Sequence, residues 1–277
     1  MNSIKQQAKE LWNKTFGDSF EYIDKFFNLY FKEGIFFHIE ENGKLLSMLF
    51  ATHHRLKIND NILPIAYIGS VCTVESHRNQ GLANLLMQKA EKELRNLGKQ
   101  AVILIAAHEG LVPFYEKMGY KLCGIEGINK TYFKKIENKN DLSQYSIETT
   151  KKFDFELINN VQQNRNNCII HNESTLKLYT ITDYDIINLY KDKKIIAQCV
   201  AITDWNTIEV LDCFCFEEQT AELFAQKLSI EYKKDVILKY FPNENSEIAS
   251  TIEMIKPLNN LNKSLPEKVF MSLNLDT

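Results

Sequence analysis

Apolar residues recur along this chain at two spacings, and the order in which the spacings alternate predicts its elements. Over residues 4–16 and 20–31 they return every third or fourth position, which predicts amphipathic helices Ile4–Phe16 and Phe20–Phe31. Strand-like runs come next at Ile35–Glu40 and Leu45–Ile58, joined by Asn42-Gly43, a pair suited to a tight hairpin. Asn59-Asp60-Asn61 supplies another turn, and Ile62–Val74 continues as a strand. Leu82, Leu85, Leu86, Ala90, Leu94 and Leu97 then form one helical stripe, closed by Gly98. Ala101–Ala107 is apolar throughout, as a strand covered on both faces should be. Leu111–Met118 reads as a short helix ended by Gly119, and Tyr120–Gly124 opens another strand. Strand, helix, strand in this order implies a right-handed βαβ unit.

The second half repeats that order. Phe155–Gln163 predicts a helix, and Asp185–Lys191 and Ile195–Thr203 predict strands around the polar turn Lys191-Asp192-Lys193-Lys194. Thr207–Phe216 is a third strand, Gln219–Glu231 a helix and Asp235–Tyr240 another strand. Thr251–Lys256 and Val269–Leu275 are expected to close the chain as an antiparallel pair. The polar stretch Lys134–Ser143 is the linker candidate. The expectation is an α/β protein with mixed sheets in two units, residues 1–135 and 136–277.

Composition narrows the function classes. The chain has 277 residues, 44% hydrophobic and 25% charged, with a net charge of −3, as an ordinary soluble globular protein does. That charge offers no basic field for nucleic acid, and no apolar run is long enough for a bilayer span. No signal-peptide core opens the chain. Cysteines 72, 123, 168, 199, 213 and 215 form no CxxC pair, so reduced thiols in the cytoplasm, without a metal, are expected.

The chemistry concentrates at Arg78-Asn79-Gln80-Gly81-Leu82-Ala83, between the third strand and the long helix. A strand that feeds through a short turn into a helix aims unpaired N–H groups and the positive dipole end at one point. Gly81 lets a pyrophosphate approach the backbone, Ala83 keeps the next turn slim, and Arg78 adds a fixed positive charge. The rival reading is an ordinary helix start with a convenient glycine. All 10 glycines lie between Gly17 and Gly127, so residues 128–277 cannot repeat this loop. At the equivalent junction stands Cys213-Phe214-Cys215-Phe216-Glu217-Glu218, whose carboxylates would repel a phosphate.

The segment Val71 to Ala83 resembles the acetyl-CoA motif of the GCN5-related N-acetyltransferases (GNAT), Arg/Gln-x-x-Gly-x-Gly/Ala after a strand. Pro113-Phe114-Tyr115-Glu116-Lys117-Met118-Gly119-Tyr120 resembles the family's second hallmark, an aromatic-Tyr-x-x-x-Gly-aromatic run. Together, about 30 residues apart on suitable elements, they are far more specific than either alone. The resemblance covers roughly residues 1–135. The two-unit layout is loosely similar to acetyltransferases of the enhanced-intracellular-survival type, whose active domain precedes a degenerate one. It therefore implies a GNAT fold followed by a second, degenerate GNAT-like domain.

The resemblance further implies acetyl-CoA as cosubstrate and transfer of its acetyl group to a primary amine in a ternary complex. Backbone groups of Val71, Cys72 and Thr73 would hold the pantetheine arm, one N–H polarising the thioester carbonyl. Arg78, Asn79, Gln80, Gly81, Leu82 and Ala83 would hold the pyrophosphate, and Tyr115 would protonate the leaving thiolate. Read without the resemblance, Tyr115 is a packed aromatic with a locally satisfied hydroxyl, and Cys72 a small core hydrophobe. Glu75 and Ser76 replace residues usual in the family's loop, and His108 stands where many relatives have Asn. His53, His54 and Glu109 are positional candidates for the base, though adjacent strand histidines point to opposite faces. The partner is a small-molecule or peptide amine, with neither nucleic acid nor membrane, and no motif sets its identity or the oligomeric state. Two other readings use the same residues: a non-catalytic acyl-CoA binder or sensor, and an interaction module.

Overall fold

The structure is a computed structural model that describes residues 3–33, 35–132, 142–180, 182, 184–240, 248–259 and 265–270. Helices α1 (Ile4–Phe16) and α2 (Phe20–Glu33) open it. The Ser3 side chain caps α1 by accepting from the Gln6 N–H, and Gly17 ends it with φ of 83°. Strands β1 (Ile35–Glu41), β2 (Lys44–Ile58) and β3 (Asn61–Thr73) form an antiparallel meander. Helix α3 (Leu82–Asn96) leads to β4 (Ala101–Ile105), which runs parallel to β3. Helix α4 (Val112–Lys117), β5 (Lys121–Leu122) and β6 (Gly124–Thr131) complete the first unit.

In the second unit come β7 (Tyr145–Thr150), α5 (Phe155–Asn164), β8 (Cys168–Ile170) and α6 (Glu173–Thr180). Strands β9 (Asp185–Lys191), β10 (Lys194–Thr203) and β11 (Thr207–Phe214) form a second meander. Helix α7 (Glu218–Tyr232) then returns to β12 (Asp235–Tyr240), parallel to β11. The order meander, helix, parallel strand thus occurs twice, as the apolar spacing indicates. The chain ends with β13 (Ile248–Ser250), β14 (Glu253–Pro257) and β15 (Val269–Phe270).

These last strands depart from expectation. Residues 251–256 and 269–275 do not pair with each other among the described residues. Strand β14 instead runs antiparallel between β4 and β5, so the second half of the chain supplies a strand to the first unit's sheet. Glu253, Met254 and Ile255 are all buried, the mark of a strand covered on both faces rather than of an edge. Strand β15 runs parallel to β6 and β8, while residues 271–275 lie outside the described set. One continuous sheet crosses both units, with β12 bonded to β6 and β8 to β2. The linker region around the 135/136 division falls largely on residues 133–141, also outside that set.

Helices α1 and α2 pack Trp12, Phe26 and Phe27 on Phe50 of β2, in a core shared with Leu176 and Phe214 of the second unit. Helix α3 packs Leu86, Ala90 and Leu94 on the opposite face, against Val102 and Leu104. His54 lies buried where the units meet, its Nε2 2.9 Å from Thr52 Oγ1. Burial and the nearby His171, Lys99 and His53 push its pKa from 6.5 down to about 3. The unfolded chain therefore binds a proton that the folded chain refuses between these values. Stability that is full above about pH 6.5 falls by about 1.4 kcal/mol per pH unit toward about pH 3. His54→Gln should flatten this slope in denaturant unfolding at several pH values; parallel slopes would place the acid sensitivity elsewhere.

Candidate active site

Strands β3 and β4 pair from Ile65↔Ala101 to Tyr67↔Ile103 and then part. The parting has a local cause. The β2–β3 register shifts by one residue between Met48 and Phe50, and Ser70 on β3 takes a φ of 54°. Such a bulge bends its strand and re-aims the residues C-terminal to it. Past Ser70, the edge of Val71–Thr73 that faces β4 has no strand partner among the described residues. A cleft of about 1140 Å³ opens there. That exceeds the roughly 300–1,000 Å³ of a single drug-sized site and leaves room for two reactants side by side.

One half of the cleft is bounded by the loop into α3. Gly81 is the N-cap of α3 with φ of 79°, and no side chain caps the helix. The first helical bond runs from the Leu85 N–H to the Gly81 carbonyl, so the N–H groups of Leu82, Ala83 and Asn84 have no intrahelical acceptor. Asn79 also takes a positive φ, 62°, which turns the loop tightly. Arg78 Nε donates to the Thr73 carbonyl at 3.2 Å, tying the loop to the strand end. Val71, Cys72, Thr73, Arg78, Asn79, Gly81, Leu82 and Ala83 all line the cleft. Gln80 does not; its side chain donates to the Ser76 carbonyl at 3.3 Å.

Tyr115 lines the same half from α4 and is 6% exposed. Pro113 in the first turn of α4 and Gly119, with φ of 90°, frame the short helix. The Tyr115 ring stands edge-on to Phe114 and Tyr120, at 5.1 and 5.9 Å between centroids. Tyr120 donates to Glu91 Oε1 at 3.0 Å, and Lys256 of β14 binds Glu91 Oε2 at 2.6 Å. Cys72 is a buried thiol whose pKa burial pushes up to about 12, so it is no thiolate nucleophile near neutral pH. His108 also borders the cleft.

The three positional candidates for the base stay out of the cleft, and the two histidines hold the surface and packing places that are the plainer reading of either. His53 and Glu109 are exposed and His54 is enclosed, and none of the three lines the cleft. The carboxylates that do line it are Asp18 and Glu253. Glu253 comes from β14, on a stretch whose pairing is set by contacts about 150 residues distant in sequence. Among the described residues, no group of three His, Cys, Asp or Glu side chains converges to hold a metal ion.

A sequence profile described as an acetyltransferase (GNAT) domain matches residues 2–123, which contain both the loop and Tyr115. Residues 2–123 thus match a GNAT domain. A Chlorobaculum tepidum protein named as an uncharacterized N-acetyltransferase is 36% identical to the chain over 69 residues. That match spans 25% of this chain and 39% of the relative. A probable N-acyltransferase from Enterococcus faecalis superposes with a TM-score of 0.73 at 12% identity, over 92% of this chain and 70% of the other. A tandem GNAT protein from the clavulanic acid biosynthesis pathway superposes with a TM-score of 0.57 at 9% identity, over 92% and 95% of the two chains. The likeness thus extends beyond the profile match, and the second unit shares the GNAT fold. Its own strand parting, past Val210↔Leu238, is furnished differently from that of the GNAT domain. Arg165 donates to Asp212 Oδ2 and Oδ1 at 2.9 and 3.1 Å and to the Cys213 carbonyl at 2.7 Å. Helix α7 starts at Glu217 and Glu218 rather than at a glycine loop. No helix among the described residues is long and apolar enough to cross a membrane.

Proposed function

We propose that the protein is an N-acyltransferase that moves acetyl from acetyl-CoA to a primary amine within a ternary complex. The observation that carries this reading is the open, uncapped start of α3 beside an unpaired strand edge and Tyr115, all on one cleft. The N–H groups of Leu82, Ala83 and Asn84 would bind the pyrophosphate, with Arg78 adding charge. The free edge of Val71–Thr73 would pair with the pantetheine amides as an added strand, and a backbone N–H there would polarise the thioester carbonyl. Tyr115 would give its proton to the departing thiolate. Residues 1–135 would supply this machinery, and residues 136–277 would wall the acceptor side without binding a second coenzyme. Six free cysteines fit a reducing, cytoplasmic setting.

Calorimetric titration with acetyl-CoA and thiol release over a panel of primary amines test the reading. Absence of acetyl-CoA binding would overturn it, and binding with no turnover on any amine would favour a sensor. Gly81→Asp separates binding from folding. A side chain at Gly81 meets no atom within 4 Å, and aspartate is among the residues that adopt a positive φ, at a cost of about 1–2 kcal/mol, so the fold should persist. The new carboxylate would face the pyrophosphate, a like-charge contact that costs several kcal/mol and thus about 100-fold or more in affinity.

A further inference from the structure

We propose, building on that reading, that Glu253 takes the proton from the acceptor, and that the acceptor is a primary amine on an aromatic or apolar body. Glu253 stands opposite Ile105, the last residue of β4, where the strands part. Two backbone bonds fix it there: Ala106 N–H donates to the Ile252 carbonyl at 3.3 Å, and Cys123 N–H donates to the Glu253 carbonyl at 2.9 Å. Side chains alternate along a strand. Met254 packs on the α3 face with Leu104 and Tyr115, whereas Ile255 packs on the other face with Ile103 and Tyr67. The Glu253 carboxyl therefore projects onto the face opposite α3, away from the coenzyme loop.

Glu253 is 6% exposed, and its carboxyl has the neutral Thr251 hydroxyl and its own backbone N–H beside it, with no cation on Oε2 among the described residues. A buried carboxylate with only neutral partners costs free energy until a cationic ligand meets it. The space is kept for it by Gly124, where any Cβ would collide with Glu253 Oε2 and Thr251 Oγ1. Burial raises the carboxyl's pKa, while hydrogen bonds from the Thr251 hydroxyl and the Glu253 backbone, and then the charge of Lys239 on β12, oppose that rise; the Cys123 thiol nearby is pushed up to about 12. A carboxylate poised upward in this way is a better base. On the same face the cleft wall is aromatic, formed by Trp12, Phe26, Phe50 and Tyr67. The other carboxylate of the cleft, Asp18, already accepts from the Trp12 ring N–H at 2.6 Å, so Glu253 beside several rings suits a single amine on an apolar body better than a polycation.

The protons balance. An ammonium loses one proton to Glu253, and the free amine attacks the acetyl carbon. As the C–S bond breaks, Tyr115 protonates the thiolate and regains a proton from the amide nitrogen. Glu253 then releases its proton to solvent.

The test uses the full chain saturated with CoA, into which 2-phenylethylamine or spermidine is titrated, and steady-state acetylation of the same amines. Phenylethylamine should bind more tightly than spermidine. Glu253→Gln should weaken that binding at least about tenfold with CoA affinity unchanged, and should lower kcat/KM about 10²–10⁴-fold. The residual rate of the variant should climb with pH as the amine ionises in solution, while the wild type levels off. Glu253→Asp, which keeps a carboxylate, should restore the levelling. Equal amine affinity and equal pH profiles in wild type and Glu253→Gln, or a preference for spermidine, would overturn this inference while leaving acetyl transfer intact. A chain that binds no CoA would overturn both.

Discussion

Replacing Tyr115 with phenylalanine should lower turnover about 10²–10⁴-fold, the range expected for removal of a positioned general acid. Acetyl-CoA affinity and the unfolding midpoint should stay near wild type. The ring makes the packing contacts, to Phe114 and Tyr120, and phenylalanine keeps the ring. The nearest phenol cannot take over the proton. Tyr120 already donates to Glu91, and burial together with that carboxylate holds its pKa well above 10. Rapid-mixing measurement of thiol release, with calorimetry for acetyl-CoA, separates the two effects. An affinity loss equal to the loss of turnover would make Tyr115 a packing residue of the coenzyme site and remove it from proton transfer.

The half of the cleft formed by the α3 loop and Tyr115 is legible in the sequence because its determinants are local. Gly81, the stripe on α3 and the Pro113–Gly119 frame each act within a few residues, so spacing alone places them. The half that contains Glu253 is not, because long-range strand pairing builds it. Residues 251–256 read correctly as a strand, yet nothing in Glu253-Met254-Ile255 names β4 and β5 as neighbours. With the neighbours unassigned, Glu253 could not be placed opposite Ile105. The sequence therefore offers His53, His54 and Glu109, which are close in sequence to the α3 loop and its flanking strands, as positional candidates for a base. The strand opening at Tyr120–Gly124 has no readable end, because Gly124 and Gly127 lower the strand signal of β6, although Gly124 leaves room for the Glu253 side chain. Helix α6 did carry a readable start. Asn172 and Thr175 cap each other, Asn172 Oδ1 accepting from the Thr175 N–H at 2.9 Å and Thr175 Oγ1 from the Asn172 N–H at 2.8 Å.

Arg165→Ala should destabilise the protein by about 3–5 kcal/mol, because it strands the Asp212 carboxylate where water cannot reach. The side chains of Arg165 and Asp212 are 5% and 0% exposed. Burial opposes the Arg165 charge, but Asp212 outweighs that, and the guanidinium pKa is raised on balance. The double variant Arg165→Met with Asp212→Leu should recover most of the loss, since it removes both charges and keeps apolar volume between Phe214 and Phe270, whose rings flank Arg165. Denaturant unfolding of the three variants decides it; a mild single variant would mean that water or another cation reaches Asp212. The same curves bear on catalysis. Strand β12 is bonded to β6, and β14 lies inside the first unit's sheet, so the pair in the second unit and Glu253 in the cleft belong to one hydrogen-bonded framework. Unfolding should therefore be a single transition, and acetyl-CoA, which on the proposed function would bind to the first unit, should raise the midpoint of the whole chain. Two separate transitions, with only one shifted by acetyl-CoA, would detach the second unit from the site and leave β14 as its sole contribution.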